Sequence, residues 1–332
     1  MKYVRLPNSD IDVSVVAMGC WALAGDMTWG PQDEGVATDA VRTALDVGIN
    51  FFDTAEMYGE GLSEQRLGKA LAGRRDRAVI ASKFNPQHMA PDQVAATCHR
   101  SLKYLRTDYI DLYQIHWPSR TVPLADTWAA MEKLQSQGKI RALGVCNFGT
   151  GDLGDMSAIG QPVTNQLPYS LLVRAIEYEI LPECIRQKLG VLCYSPLAIS
   201  LLTGKYASAG EVPPGRARTR HFSPDRCLET RHGEPGCEQQ TFAALDRIRK
   251  ICDGLGRTMT EVALAWLLHQ PGVRSVLAGI RNPDQAQKNA AAAELALSDD
   301  VLTALAEATD PVKQALGSNP DVWETQSRSR FR

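Results

Sequence analysis

Four residue types, spread over about a fifth of this sequence, have a joint chemical meaning. Asn50-Phe51-Phe52-Asp53-Thr54-Ala55-Glu56-Met57-Tyr58-Gly59 carries an aspartate and a tyrosine. Ala78-Val79-Ile80-Ala81-Ser82-Lys83-Phe84 carries a lysine. Asp111-Leu112-Tyr113-Gln114-Ile115-His116-Trp117-Pro118 carries a histidine. A tyrosine becomes a proton donor near neutral pH when its pKa is lowered, and a neighbouring ammonium does this by favouring the phenolate. Lys83 supplies that charge, Asp53 holds Lys83 in place, and His116 hydrogen-bonds a carbonyl oxygen beside Tyr58. Taken singly, each has an ordinary reading. An aspartate after an apolar run caps the next helix, a strand-end histidine is structural, and a lysine snorkels. Their joint occurrence at successive strand ends points to proton donation.

For those ends to meet, the strands must converge. Val15–Trp21, Asn50–Thr54, Ala78–Phe84, Ile110–Trp117, Ala142–Phe148, Val163–Gln166, Val191–Ser195 and Ser275–Ile280 read as strands. Helical periodicity fills the intervals, as in Asp33–Val47, Ser63–Ala72, Pro91–Tyr104 and Leu124–Gln137. Ser63 before Glu64 marks a helix start, and Gly48, Gly73 and Gly138 mark helix ends. Strands alternating with helices imply a parallel sheet, and eight such units in 332 residues predict a single (β/α)8 barrel domain covering residues 1–332. A hairpin over Tyr3–Val13 precedes it. Ser298–Thr309 reads as an added helix, and 317–332 as an irregular tail. Residues 206–240, rich in Gly, Pro and Arg, predict a long loop after the seventh strand, on the face where barrel enzymes hold their sites.

The bulk numbers narrow the function classes. A net charge of −2 argues against nucleic acid or an anionic membrane surface as the main partner. Eight cysteines without a C-x-x-C pair read as reduced core thiols, and no signal-peptide pattern or membrane-length apolar run is seen, so a cytoplasmic location is expected. No His or carboxylate cluster has metal-ligand spacing, which disfavours a metal-dependent hydrolase.

Beyond the four residues, longer motifs resemble those of the aldo-keto reductase family, and its bacterial, NADPH-dependent branch in particular. The Asp53-Thr54-Ala55…Tyr58-Gly59…Ser63-Glu64…Leu67-Gly68 pattern is similar to the family's first signature. Asp111 to Pro118 and Gly144-Val145-Cys146-Asn147-Phe148 are similar to the next two, and Tyr194-Ser195-Pro196-Leu197…Leu201-Leu202-Thr203-Gly204-Lys205-Tyr206 is typical of bacterial members. The resemblance spans nearly the whole chain. It implies an NAD(P)H-dependent carbonyl reductase in which Asp53, Tyr58, Lys83 and His116 match the catalytic tetrad and Tyr58 is the general acid.

By the same resemblance the cofactor lies extended across the barrel mouth without a Rossmann unit. Asn147 and Gln166 would hold the carboxamide and Tyr194 would stack on the nicotinamide. Trp21 and the Ser195, Pro196, Leu197 and Leu202 run would line the site, and Gly204 and Lys205 would meet the pyrophosphate. After Gly279, Arg281 would grip a 2′-phosphate, with Gln285 and Asn289 at the adenosine end, so NADPH is expected over NADH. Side-chain amides match a carboxamide, and an exposed lysine pairs with phosphate. Lys288 stands where the family commonly has a glutamate, and Cys146 replaces the usual Ser or Thr.

Gly149-Thr150-Gly151-Asp152-Leu153-Gly154 has the G-x-G-x-x-G spacing of a dinucleotide loop. However, 156–176 holds no acidic residue where that motif needs one, about 20 positions on, so it reads as a loop with a glycine-eased turn. The arginines of 206–240, with His221, His232 and Glu234, suit a polar carbonyl substrate such as a sugar, keto-sugar or carboxylated aldehyde. They equally suit clamping of the cofactor phosphates or a solvent-facing role. Trp21, Trp117, Arg231 and His232 are the expected substrate contacts. The expected partner is a small-molecule carbonyl compound, with a homo-oligomer compatible. The alternative function is an NADPH-binding regulatory subunit of the same fold, like the channel-associated β subunits.

Overall fold

In the computed structural model, which describes residues 1–26 and 28–332, eight parallel strands close into a barrel. A two-stranded hairpin, β1 (Tyr3–Arg5) and β2 (Asp12–Ser14), plugs its N-terminal end. The barrel strands are β3 (Val16–Gly19), β4 (Phe51–Asp53), β5 (Val79–Phe84), β6 (Ile110–Ile115), β7 (Ile140–Cys146), β8 (Thr164–Pro168), β9 (Gly190–Tyr194) and β10 (Val273–Gly279). They follow chain order, and β10 pairs with β3 to close the ring.

Alternation along each strand divides the apolar residues into two sets. Phe51, Val79, Ala81, Leu112, Ala142 and Leu192 point inward and pack on Leu6, Ile11 and Val13 of the hairpin. Phe52, Ile80, Tyr113, Leu143 and Val191 pack with the helices outside. The same parity turns Asp53, two residues after Phe51, toward the interior. It does so for Lys83, two after Ala81, and for His116, four after Leu112. Hydrophobic packing thus orients the polar residues at the barrel mouth.

Most expected elements are present within a residue or two, and Gly48, Gly73 and Gly138 take positive φ values of 91°, 74° and 71° after their helices. Several expectations need correction. The first barrel strand ends at Gly19, because Cys20 donates its last ladder bond to Asp53 O and then turns, and Trp21 opens a short helix, Trp21–Ala24. Ser63 lies inside the helix Leu62–Ala70 behind a left-handed Gly61, its hydroxyl bonded to Cys20 O at 2.8 Å. The 149–154 segment is not a loop: Gly149 caps a helix, Thr150–Ser157. The long loop is broken by three 3-10 turns and ends where the helix Glu238–Leu255 begins.

The added helix runs from Asp299 to Leu316, through Pro311. A proline there leaves the Glu307 carbonyl without its helical donor, and the Arg247 guanidinium donates to that carbonyl at 3.2 Å. The 317–332 tail is irregular apart from a 3-10 turn, yet it packs onto the barrel face. Among the described residues no helix is long and apolar enough to cross a membrane.

Candidate active site

At the C-terminal mouth the four residues meet. The Lys83 ammonium donates to Asp53 Oδ1 at 2.6 Å, to the Thr54 carbonyl at 2.8 Å and to the Tyr58 hydroxyl at 3.4 Å. Lys83 is fully buried and Asp53 nearly so. Burial opposes the ammonium, but Asp53 and the other acceptors around it outweigh that and hold its pKa above the ordinary lysine value. Tyr58 reaches this cluster from the turn after β4, tied through Glu56. The Glu56 carboxylate accepts from the Asn85 amide at 2.6 Å, lies 2.8 Å from His88 Nδ1 and pairs with Arg100.

Burial pushes the Tyr58 phenol up to about 12, while Lys83 acts in the opposite direction. Sequence reasoning foresaw the ammonium's effect but not the larger one of desolvation. His116 packs edge-on against Tyr58 with ring centres 6.0 Å apart. Burial, then the positive charges of Lys83 and Arg330, hold its pKa well below the ordinary histidine value, and its Nδ1 has no hydrogen-bond partner among the described residues. The cluster therefore combines a protonated phenol, a buried ammonium and a neutral imidazole.

The expected carboxamide ligands are knitted into the same cluster. Gln166 donates to Asp53 Oδ2 at 2.8 Å, Asn147 donates to the His116 carbonyl at 3.0 Å, and Tyr194 donates to Asn147 Oδ1 at 2.9 Å. Cys146 is buried, which pushes its thiol pKa up. Trp21 stacks on Tyr58 at 6.1 Å and meets Trp29 edge-on at 5.5 Å, so the two tryptophans form a continuous wall beside the phenol.

The run after β9 holds its backbone in the left-handed region at Ser195 (φ 50°), Ala198 (46°), Ile199 (50°) and Ser200 (78°). Such strain at a β-branched residue clusters at binding loops. Next to it a Cβ at Gly204 would meet nothing closer than Met259 Sδ at 3.2 Å, and Lys205 is exposed. Two amides, a tyrosine, a strained loop ending in an exposed lysine, and an arginine before a helix start form a donor set that fits an extended nicotinamide dinucleotide.

Arg281 is engaged within the protein. Its guanidinium bonds to the Trp29 and Pro31 carbonyls, each at 2.6 Å, and to Gln32 Oε1 at 2.8 Å. Gln285 accepts from the Arg281 amide at 2.8 Å, Asn289 lies 3.4 Å from Gly279 O, and Lys288 pairs with Asp284.

The long loop's arginines tie segments together. Arg216 bonds to Thr28 O and Tyr206 Oη, Arg218 to Thr28 Oγ1, and Arg220 to Glu234 and the Leu316 and Asn319 carbonyls. Arg231 pairs with Glu324 at 3.3 Å, and His232 is buried with neither ring nitrogen hydrogen-bonded among the described residues. The structure thus brings neither Arg231 nor His232 into contact with the tetrad. Trp117 stands at the mouth with Arg330 and Phe331 of the tail against its ring. Among the described residues no group of three or more His, Cys, Asp or Glu could hold a metal ion.

A model of the Aldo/keto reductase family matches residues 15–310. The chain is 35% identical over 300 residues to Aldo-keto reductase YhdN of Bacillus subtilis, covering 86% of each protein. It is 32% identical to the NADH-specific methylglyoxal reductase of Escherichia coli, over 95% of this chain and all of that one. A crystal structure of an aldo/keto reductase from Klebsiella pneumoniae in complex with NADP and acetate superposes with a TM-score of 0.73 at 31% identity, over 92% of this chain and 94% of that one. The chain belongs to the aldo/keto reductase family of oxidoreductases.

Proposed function

We propose that this chain, as one catalytic barrel, reduces a small polar aldehyde or ketone to an alcohol with NADPH, Tyr58 giving the proton. The observation that carries the reading is the buried Asp53–Lys83–Tyr58 hydrogen-bond chain with a neutral His116 beside the phenol. A bound NADPH supplies the hydride. Asn147, Gln166 and Tyr194 would hold its nicotinamide end. Gly204 and Lys205 would meet the pyrophosphate, and Arg281 the 2′-phosphate once released from the 29–32 segment.

The substrate carbonyl oxygen sits between Tyr58 and His116. The neutral imidazole orients it, and the Tyr58 hydroxyl protonates it as negative charge builds there. Lys83 stabilises the phenolate that remains, and Asp53 keeps the ammonium aimed at the phenol oxygen. Trp21, stacked on Tyr58, and Trp29 against it would exclude water beside the phenol. A methylglyoxal reductase among the relatives supports a small polar carbonyl, although that relative is NADH-specific. NADPH is preferred here on Arg281 and on the NADP-bound neighbour.

The test is turnover of an aldehyde, ketone and sugar panel, followed by NADPH absorbance, with Tyr58→Phe beside the wild type. The variant should lose about 10²- to 10⁴-fold in rate, the usual contribution of a positioned general acid, while still binding cofactor. Near-wild-type rates would remove Tyr58 from the role. Cofactor binding without turnover of any carbonyl would favour a nucleotide-sensing protein.

A further inference from the structure

The arginine expected at the 2′-phosphate is held by the chain, and every acceptor that holds it is uncharged. Arg281 Nη1 donates to the Trp29 carbonyl, Nη2 to the Pro31 carbonyl and Nε to Gln32 Oε1. Gln32 closes the clasp from its other end, its Nε2 donating to the Arg281 carbonyl at 3.0 Å. By contrast Arg220, Arg231 and Arg330 of the long loop and tail each have a carboxylate, from Glu234, Glu324 and Asp321. A guanidinium bonds an anionic oxygen about twice as strongly as a neutral one. Arg281 therefore gains by exchanging these acceptors for a phosphate. Its planar fork grips phosphate through two nitrogens at once, and all three of its nitrogens already serve the chain.

The clasp reaches the reaction centre through aromatic rings. Asp26 gathers the segment, its carboxylate accepting from the Thr28 and Trp29 amides at 2.9 Å and 3.0 Å. The Trp29 ring meets the Arg216 guanidinium, 5.5 Å from its centre, and the Trp21 ring, also at 5.5 Å. Trp21 in turn stacks on Tyr58. Arg281 thus holds by its carbonyl the residue that backs the wall beside the phenol.

We propose that Gln32, with the Trp29 and Pro31 carbonyls, is a cofactor-specificity determinant that competes with the 2′-phosphate for Arg281. A cofactor bearing that phosphate draws the arginine off the 29–32 segment and loosens Trp29, whereas one without it leaves the clasp closed. The inference rests on the reading of Arg281 as the 2′-phosphate ligand. Its consequence follows from linkage: the clasp lowers NADPH affinity by the fraction of time it holds Arg281, so weakening the clasp raises that affinity.

Cofactor titrations decide it, because the expected sign is opposite to the usual effect of losing a native contact. Gln32→Met keeps the length of the side chain and removes its amide. It should tighten NADPH by about fivefold, the scale of one hydrogen bond, and leave NADH within about 1.5-fold. Gln32→Ala serves as a second variant and should act the same way. Adenosine 2′,5′-bisphosphate should shift the wild-type tryptophan emission, adenosine 5′-monophosphate should not, and the shift should vanish in Trp29→Phe. NADPH affinity unchanged or weakened in both Gln32 variants overturns the competition, as does equal tightening of both cofactors. Bisphosphate binding, followed by calorimetry, that leaves the emission unmoved overturns it too. Equal losses of NADPH and NADH in Arg281→Ala instead overturn the 2′-phosphate reading, and the competition falls with it.

Discussion

Gln166 and Asp53 meet across the full width of the barrel, from β8 and β4 on opposite sides of the ring, with the amide nitrogen 2.8 Å from Asp53 Oδ2. Lys83 takes the other oxygen at 2.6 Å. The carboxylate is therefore fixed by two donors, and the lysine's aim toward Tyr58 depends on an amide that also belongs to the proposed carboxamide site. Gln166→Ala should lower kcat for carbonyl reduction by about tenfold, in line with loss of a hydrogen bond to a charged group. Gln166→Glu should cost more, because it puts a second carboxylate against Asp53. Stopped-flow reduction at saturating NADPH checks both, and unchanged single-turnover rates would mean that Asp53 needs no such support.

Burial raises the Tyr58 phenol to about 12, against the pull of Lys83. Reduction should therefore be nearly flat across neutral pH and fall in the alkaline range. The reverse oxidation, which needs phenolate, should rise with pH. Removing the ammonium with Lys83→Met should move the phenol higher still. Ultraviolet phenolate absorbance, taken as the difference between each protein and its Tyr58→Phe counterpart, follows the titration. A Tyr58 ionising below the ordinary tyrosine value would contradict the burial argument.

Arg281 makes three side-chain bonds to the 29–32 segment. Arg281→Ala should weaken NADPH by about tenfold more than NADH, the scale of one charge-assisted phosphate contact. It should also loosen Trp29, visible as a change in tryptophan emission without cofactor. Equal losses for the two cofactors in a fluorescence titration would remove the 2′-phosphate role.

His221 gives a stability prediction whose sign is fixed by burial. Its Nε2 lies 2.9 Å from the Leu172 carbonyl and its Nδ1 3.1 Å from Thr219 Oγ1, and burial holds its pKa down to about 4. Below pH 6.5 the unfolded chain binds a proton that the folded chain refuses. Stability from this residue is thus complete above that pH and declines by about 3 kcal/mol toward pH 4. Urea midpoints measured from pH 7 to pH 4 should fall more steeply for the wild type than for His221→Gln, and parallel curves would show that the imidazole titrates freely in the fold.

The barrel was legible because its signal is local and repeated. Alternating apolar residues in Phe51–Asp53, Val79–Lys83 and Leu112–His116 declare both the strand and the face on which the polar residue lands. Element ends were less legible. Trp21 leaves the strand because of a bond from Cys20 to Asp53, and the last helix continues through Pro311 because Arg247, from another helix, serves the carbonyl the proline leaves. The arginines of the long loop looked like ligand contacts by type. Arg216, Arg218 and Arg220 turn out to bind Thr28 and the tail, which no spacing within the loop encodes.

By itself the sequence determined the eight strand–helix units, the family, and the inward parity of Asp53, Lys83 and His116, since each follows from side-chain order over a few residues. Tertiary structure alone decided that Gln166 grips Asp53, that desolvation outweighs Lys83 at Tyr58, and that Gly149 and Gly151 receive Arg332 in place of a phosphate. These depend on groups separated by 113 or more positions or on the solvent each one loses, and both are set only when the barrel closes.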